Sequence, residues 1–440
     1  MIDCHKLSKY SIDELVSQSF DCVCGKNHKL SVEKIFCSFG ATENLPSCID
    51  EKLPVGKLLV VTADDIFKSI AQPLIDSLKK DGREIEVFCY EKNSEPSVKN
   101  ASRLFSNSED FRLVLSIGSG TVTEMAKYFA SVRKIPVIAV ATAFSSCSYL
   151  TSSTEIIVDK RRRYLPTASV SVLFFDLDIM AAAPKALLAC GVGSVFSNYL
   201  NVFDWNVANK FTDEFYCQAI ADLLVDSADM MMKATLLLQT DQNKGYLKIA
   251  QALLYSCVAR ALLVSDRFLM GGAHSAANVL LLLQNDDGDF KLNQGECSFL
   301  MFSKLVLIYK LFFNTKLRDN ALPPDVDERY SLLVRLLNFR PVVANAMTST
   351  TISPKTYEYI KIKLEETREF FKDGINEIDD KRDFMIELFK SVYENDDGNN
   401  IFSVPIPDIK TSIVLSTEIE PHFDTLTIMK YLGLLDGYLY

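Results

Sequence analysis

The residues whose spacing could do chemistry begin at Gly118-Ser119-Gly120-Thr121. An apolar run, Leu113 to Ile117, leads into this turn, and Thr121 to Val132 follows with a helical pattern. Glycines let the backbone approach a phosphate. A helix start adds unbonded N–H groups and the positive end of its dipole. A dinucleotide fingerprint asks for a third glycine three residues on, where this chain has Thr123. On spacing alone the turn reads two ways: as a phosphate cradle, or as an ordinary strand-to-helix corner. Thr142, in Ala141-Thr142-Ala143, ends the next apolar run, where ligands collect in open parallel sheets.

A second polar set lies further on. Ser194, Ser197, Asn198 and Asn201 fall at i, i+3, i+4 and i+7, a narrow stripe on an apolar helix that either faces water or lines a pocket. His274 and Asn278 share one helical face after Gly271-Gly272, and Asn293-Gln294-Gly295-Glu296 opens an apolar helix. A third set is Cys22-Val23-Cys24-Gly25-Lys26-Asn27-His28. Cys-x-Cys followed by His could hold a soft metal, with Cys4 or His5 as a fourth ligand. The simpler reading is a turn with incidental thiols.

The elements that must position these residues change character along the chain. Runs 57–62, 85–90, 113–117 and 136–140 read as buried strands, with helices between them near 66–78 and 121–132. Alternation of this kind predicts an α/β domain built on a parallel sheet. Between Glu155 and Phe175 two β-rich runs flank the basic run Lys160 to Arg163, which reads as a hairpin tip. Beyond residue 182 the pattern is helical, over 184–206, 215–238, 246–262, 273–283, 295–313 and 356–371. The predicted architecture is therefore an α/β nucleotide-binding domain over 1–182, followed by an all-helical domain over 183–440.

Composition excludes several classes of function. With 47 basic and 57 acidic side chains the net charge is −10, a poor match to nucleic acid or anionic membranes. There is no apolar signal core at the N-terminus and no run of about 18 uncharged apolar residues, so the expectation is a soluble cytoplasmic protein without membrane insertion. Eleven cysteines without framework spacing read as reduced thiols.

Together these segments resemble the glycerol-1-phosphate dehydrogenase branch of the glycerol dehydrogenase, dehydroquinate synthase and iron-containing alcohol dehydrogenase superfamily. Gly118 to Lys127 matches that family's glycine turn, with Ser119 in place of a glycine and Glu124 in place of Asp. Ala141-Thr142-Ala143 matches its Pro-Thr-Ala. Asp176-Leu177-Asp178 with Ala183-Pro184 matches its Asp-Leu-Asp and Ala-Pro, and Gly191 to Trp205 its Gly-x-Gly-Asp helix ending in Asp-Trp. The Cys-x-Cys-Gly-Lys-x-His opening resembles some bacterial members. The resemblance implies reduction of dihydroxyacetone phosphate by NADH or NADPH, with the nucleotide on Gly118, Ser119, Gly120, Thr121 and Thr142. It also implies a small phosphorylated substrate and a homo-oligomer paired through helical surfaces.

The resemblance further implies a divalent metal, usually zinc, held by one Asp and two His. In this chain the metal Asp falls on Ser194, the first His on His274 and the second on Gln294. A further pocket His falls on Asn278, and a substrate-contacting Asp falls near Cys147. Neighbours that only shape the fold still match: Gly191, Gly193, Asn198, Asp204, Trp205, Gly295 and Glu296. The chain has four His, at 5, 28, 274 and 422, so no shift of register restores a two-His site. Three readings follow. One is a dehydrogenase of this type with an altered or absent metal, leaving His274, Asn278 and Cys147 as the catalytic candidates. Another is a pseudoenzyme that keeps its nucleotide. The third is a changed reaction on a related phosphorylated substrate, in the pocket of Ser194, Asn198, Asn201, His274 and Asn278.

Overall fold

The structure, a computed structural model, describes residues 2–16, 18–79, 83–92, 94–106, 110–158, 161–263, 271–287, 292–317, 325–337, 353–393, 400–419 and 422–439. The chain forms two compact units, Met1–Val195 with Gln218–Asp266, and Phe196–Cys217 with Arg267–Tyr440. The change at residue 182 is one of secondary-structure type. Contact divides the chain differently, because the helices Gln218–Leu238 and Gln242–Leu263 pack within the first unit.

The first unit carries ten strands among its described residues. They are β1 (Ser19–Asp21), β2 (Asn27–Lys29), β3 (Lys34–Ser38), β4 (Gly56–Ala63), β5 (Arg83–Tyr90), β6 (Phe111–Gly118), β7 (Val137–Ala141), β8 (Ser153–Val158), β9 (Arg161–Pro166) and β10 (Val172–Asp176). Six make one sheet in the order β3-β10-β7-β6-β4-β5, and every pairing in it is parallel. The predicted α/β fold with a parallel sheet is thus the observed one. Leu58, Val60, Leu113, Leu115, Ile117, Ile138 and Val140 from its central strands form the core with Leu45, Ile49 and Ile75. Continuous apolar runs suit strands covered on both faces.

Two expectations need correcting. The β-rich stretch up to Phe175 is more than a hairpin. β8 and β9 do pair antiparallel, but β10 leaves them and enters the parallel sheet between β3 and β7. Its five residues are all buried, as a central strand requires. At the hairpin tip, Arg162 pairs with Glu155, and Lys160 lies outside the described residues. The 184–206 helix is in fact two, Lys185–Phe196 and Asn198–Thr212, parted at Ser197.

Asp176 and Asp178 explain their own spacing. The Asp176 carboxylate accepts from the Thr42 amide (2.8 Å) and hydroxyl (2.6 Å), and Asp178 accepts from the Gly40 amide (2.9 Å). They pin the loop after β3 to the end of β10.

The second unit is helical among its described residues. Its longest helix among the described residues, Pro354–Val392, overruns the predicted 356–371, because buried positions recur at helical spacing to Ile378 and again from Met385 to Val392. Phe203, Phe211, Phe313 and Phe371 meet ring to ring at its centre. The stretch 185–212 and the helix Gln242–Leu263 are long and apolar enough to cross a bilayer, yet 78% and 67% of their most apolar windows are buried inside the protein. That is the burial of core helices.

Candidate functional site

The glycine turn forms where the sequence places it. β6 ends at Gly118, Ser119 is the N-cap, and the helix Gly120–Arg133 follows. The Ser119 side chain makes no capping bond to the first turn, which leaves those amides open to an anion. β7 runs beside β6, and the Thr142 amide donates to the Gly118 carbonyl (3.2 Å). The structure therefore brings Thr142, itself buried, against the glycine turn at the carboxyl edge of the two central strands.

Both glycines have packing reasons as well. A Cβ on Gly118 would stand 2.6 Å from Val122 Cβ, and one on Gly120 would stand 2.7 Å from Ser146 Cβ. We expect Gly118→Ala to cost about 1–3 kcal/mol of stability, by overpacking. Adding Val122→Ala removes the γ-methyls at 2.8 and 3.0 Å but keeps the Cβ, so it should recover only part of that loss in a denaturant titration. An unchanged midpoint for the single variant would show that the turn tolerates a side chain. Thr123, in the third-glycine position, shares a hydrogen bond with Ser116 Oγ (3.0 Å) and donates to the Ser119 carbonyl (3.2 Å). A hydroxyl that ties helix to strand does there what close glycine packing would do elsewhere.

One turn further on, Glu124 and Lys127 are both buried. Lys127 Nζ donates to the Ser153 carbonyl (2.6 Å), Thr151 Oγ1 (3.2 Å) and the Ser148 carbonyl (3.3 Å), and lies 3.7 Å from Glu124. Glu124 accepts from Ser148 Oγ (2.7 Å), Thr154 Oγ1 and the Glu155 amide (3.1 Å). Burial pushes its carboxyl up, against the pull of Lys127. The pair braces the loop after β7, which carries Cys147. That thiol is buried beside Ser256 and Arg260, and burial pushes its pKa up, keeping it protonated.

The polar stripe is split between the units. Ser194 ends in the first, while Ser197, Asn198 and Asn201 are buried in the second. In the second unit His274, Asn278 and Gln294 do come together. Gln294 Nε2 donates to Asn278 Oδ1 (2.9 Å) and lies 3.4 Å from His274 Nδ1. Gln294 Oε1 and Asn201 Oδ1 are buried without a hydrogen-bond partner among the described residues. Next to Gln294, Glu296 closes a capping box with Asn293, and burial pushes its carboxyl up to about 7.

Sequence reasoning treated Asp204 only as a residue that shapes the fold, and its role is specific. Its fully buried carboxylate accepts from the Gly272 amide (2.8 Å), Tyr309 Oη (3.2 Å), and the Thr425 amide (3.1 Å) and hydroxyl (2.7 Å). It therefore holds the start of the helix that carries His274 and Asn278.

A parallel sheet with a strand–glycine–helix turn at its carboxyl edge, followed by a helical unit, defines a class of α/β protein, and comparison narrows it. Residues 37–184 match the family model described as iron-containing alcohol dehydrogenase. The chain is 24% identical to the glycerol-1-phosphate dehydrogenase [NAD(P)+] of Geobacillus thermodenitrificans over 60% of this chain and 66% of that one. Against the enzyme of the same name from Bacillus licheniformis it is 25% identical, over 68% and 76%. The first of these alignments spans just under two thirds of the relative's length.

Among solved structures, the fold is similar to that of an alcohol dehydrogenase from an archaeal halo-thermophilic Red Sea brine-pool source, with a TM-score of 0.61 at 15% identity, covering 93% of this chain and 98% of that one. It is also similar to sulfoacetaldehyde reductase from Bifidobacterium kashiwanohense in complex with NAD+, with a TM-score of 0.58 at 16% identity, covering 94% and 98%. Over residues 37–184 the chain is thus similar to the iron-containing alcohol dehydrogenase family, and its listed relatives are glycerol-1-phosphate dehydrogenases.

Proposed function

We propose that this chain is an NAD(P)-linked oxidoreductase of the glycerol-1-phosphate dehydrogenase type, working in the cytoplasm without the family's divalent metal. The observation that carries the nucleotide half is the uncapped turn at Ser119, with Thr142 bonded to Gly118 beside it. The activity of the relatives, glycerol-1-phosphate dehydrogenases, supports the reaction class and the phosphorylated three-carbon substrate.

The residues at the family's metal positions do not fit a metal. Ser194 offers a neutral hydroxyl and Gln294 a neutral amide, so His274 is the single strong donor of the three, and zinc wants three or four of thiolate, imidazole or carboxylate. The Gln294 amide nitrogen is turned toward His274 Nδ1 rather than its oxygen, as two hydrogen-bonding partners would be. Carbonyl reduction needs a hydride from the nicotinamide and a proton on the oxygen. In the helical unit His274 is the group suited to give that proton. The unpartnered Gln294 and Asn201 oxygens are acceptors suited to substrate hydroxyls. Without a Lewis acid worth several kcal/mol, turnover should be slower by on the order of 10³-fold than in a metal-dependent relative.

The second reading, a pseudoenzyme that keeps nucleotide binding, is favoured by the same closed hydrogen bonding among His274, Asn278 and Gln294. Titration with NADH and NADPH, followed by nicotinamide fluorescence, should show binding. Reduction of dihydroxyacetone phosphate should then be slow, unchanged by added zinc, nickel or chelator, and lost in His274→Ala. Metal-stimulated turnover would overturn the metal-free reading. Nucleotide binding with no turnover would select the pseudoenzyme, and absence of nucleotide binding would sink both.

A further inference from the structure

The cysteine-rich hairpin near the N-terminus takes no part in the proposed chemistry, yet its donors converge. β1 and β2 pair antiparallel, with Phe20 opposite His28, and the turn between them is Cys22 to Lys26. The Cys22 amide donates to the Lys26 carbonyl (3.0 Å), and the Gly25 amide donates to the Cys22 carbonyl (2.9 Å). Gly25 sits at φ +81°, a left-handed conformation that favours glycine, so the tight turn explains why Gly follows Cys24.

The fourth donor comes from far along the chain. Cys217 is peptide-bonded to Gln218, the first residue of the helix Gln218–Leu238 in the hairpin's own unit. The sulfurs of Cys22, Cys24 and Cys217 and a ring nitrogen of His28 all lie within 4.8 Å of one another. Cys24 Sγ is 3.2 Å from His28 Nε2. Tetrahedral zinc with three sulfurs at its usual bond length would set them about 3.7 Å apart, so the four atoms surround such a centre with little movement. The sequence offered Cys4 or His5 to complete the set; Cys4 is not in the group, and the His5 side chain lies outside the described residues.

A second observation points the same way. His28 Nδ1 lies 3.0 Å from the Leu262 carbonyl. A carbonyl only accepts, so this contact places the ring proton on Nδ1 and turns the Nε2 lone pair toward Cys24. Metal-binding histidines are held in this way, with the far ring nitrogen donating to a backbone carbonyl. Cys22, His28 and Cys217 are buried, as structural metal ligands are.

We propose that Cys22, Cys24, His28 and Cys217 bind one structural zinc ion. It is separate from the family's metal positions at Ser194, His274 and Gln294, and independent of the function proposed above. The site is closed, with four protein ligands and no open position, so its role is to hold the N-terminal hairpin against Leu262 and the start of the helix Gln218–Leu238 rather than to act on substrate.

Elemental analysis of the full chain, purified under reducing conditions with zinc and without chelator, should find about one zinc per molecule. Cys24→Ser and Cys217→Ser should each lower that content at least about fivefold, while His274→Ala keeps it. Because a cysteine variant can misfold, cobalt exchange on the unaltered protein gives a second readout. Sulfur-to-cobalt charge-transfer bands and intense tetrahedral d–d bands are expected. Absence of bound metal at excess zinc would overturn the proposal. So would a disulfide among the three cysteines in reduced preparations, or zinc that survives Cys24→Ser and Cys217→Ser but is lost with His274→Ala.

Discussion

Replacing Asp204 with Ala is expected to loosen the helix Gly272–Asp287 at a cost of about 3–5 kcal/mol. Four donors converge on that carboxylate, two backbone amides and two hydroxyls, in a region with no exposure to solvent. Removing the acceptor strands all of them, and stranded buried donors cost more than the bonds contributed. Tyr309 cannot relieve the loss by ionising, since burial, which the substitution leaves in place, pushes its phenol above its usual range. Nor can the backbone retreat easily, because a Cβ at Gly272 would already stand 2.2 Å from Tyr309 Oη. The readout is amide hydrogen exchange. Peptides covering 272–287 and 425–431 should exchange on the order of 10²–10³-fold faster, with the parallel-sheet unit unchanged. The exposed Glu387→Ala should move nothing, and protection retained at Gly272 in Asp204→Ala would refute the anchor.

The contrast between Asp204 and the glycine turn marks what the sequence could carry. β4, β6 and β7 were legible because central parallel strands are buried on both faces and read as unbroken apolar runs. β3 was not, since Lys34-Ile35-Phe36-Cys37-Ser38 is a short edge strand with only Ile35 fully buried. The break at Ser197 was hidden too, because polar positions from Ser194 to Asn201 keep helical spacing straight through it. Side-chain partners were hidden for a different reason. Asp204 is bonded to residues 68, 105 and 221 positions away, and no local period reports such a contact. Cys217 is equally remote from the hairpin it faces. The resemblance to the family was readable because its signature is local, the turn and the short motifs after each strand. The chemistry was readable only as an inventory of residue types, with Ser194 and Gln294 at positions where the resemblance implies ligands.

Lys127→Met should be almost as costly as Asp204→Ala, at about 3–5 kcal/mol, and it tests whether the glycine-turn helix is held as the geometry implies. The side chain has no exposure, and its ammonium is satisfied by three oxygens of the 148–153 loop and by Glu124. Methionine fills a similar volume, so the loss is electrostatic rather than a cavity. It leaves Glu124 buried without its cation, and burial already pushes that carboxyl up. The carboxyl should then take up a proton in the folded state, so the variant would be relatively more stable at mildly acidic pH, where protonation costs less. Glu124→Gln anticipates that state. Its own cost should therefore be smaller in the Lys127→Met background than alone, with a coupling of about 1–3 kcal/mol from a double-mutant cycle. The loop 148–155 should lose exchange protection first, because Lys127 and Glu124 hold it from the helix side. Costs that simply add would mean the two charges are held by their separate hydrogen bonds and not by each other. Glu124 would then be held by its own donors, Ser148, Thr154 and the Glu155 amide, and the brace would have to be assigned to Lys127 by itself.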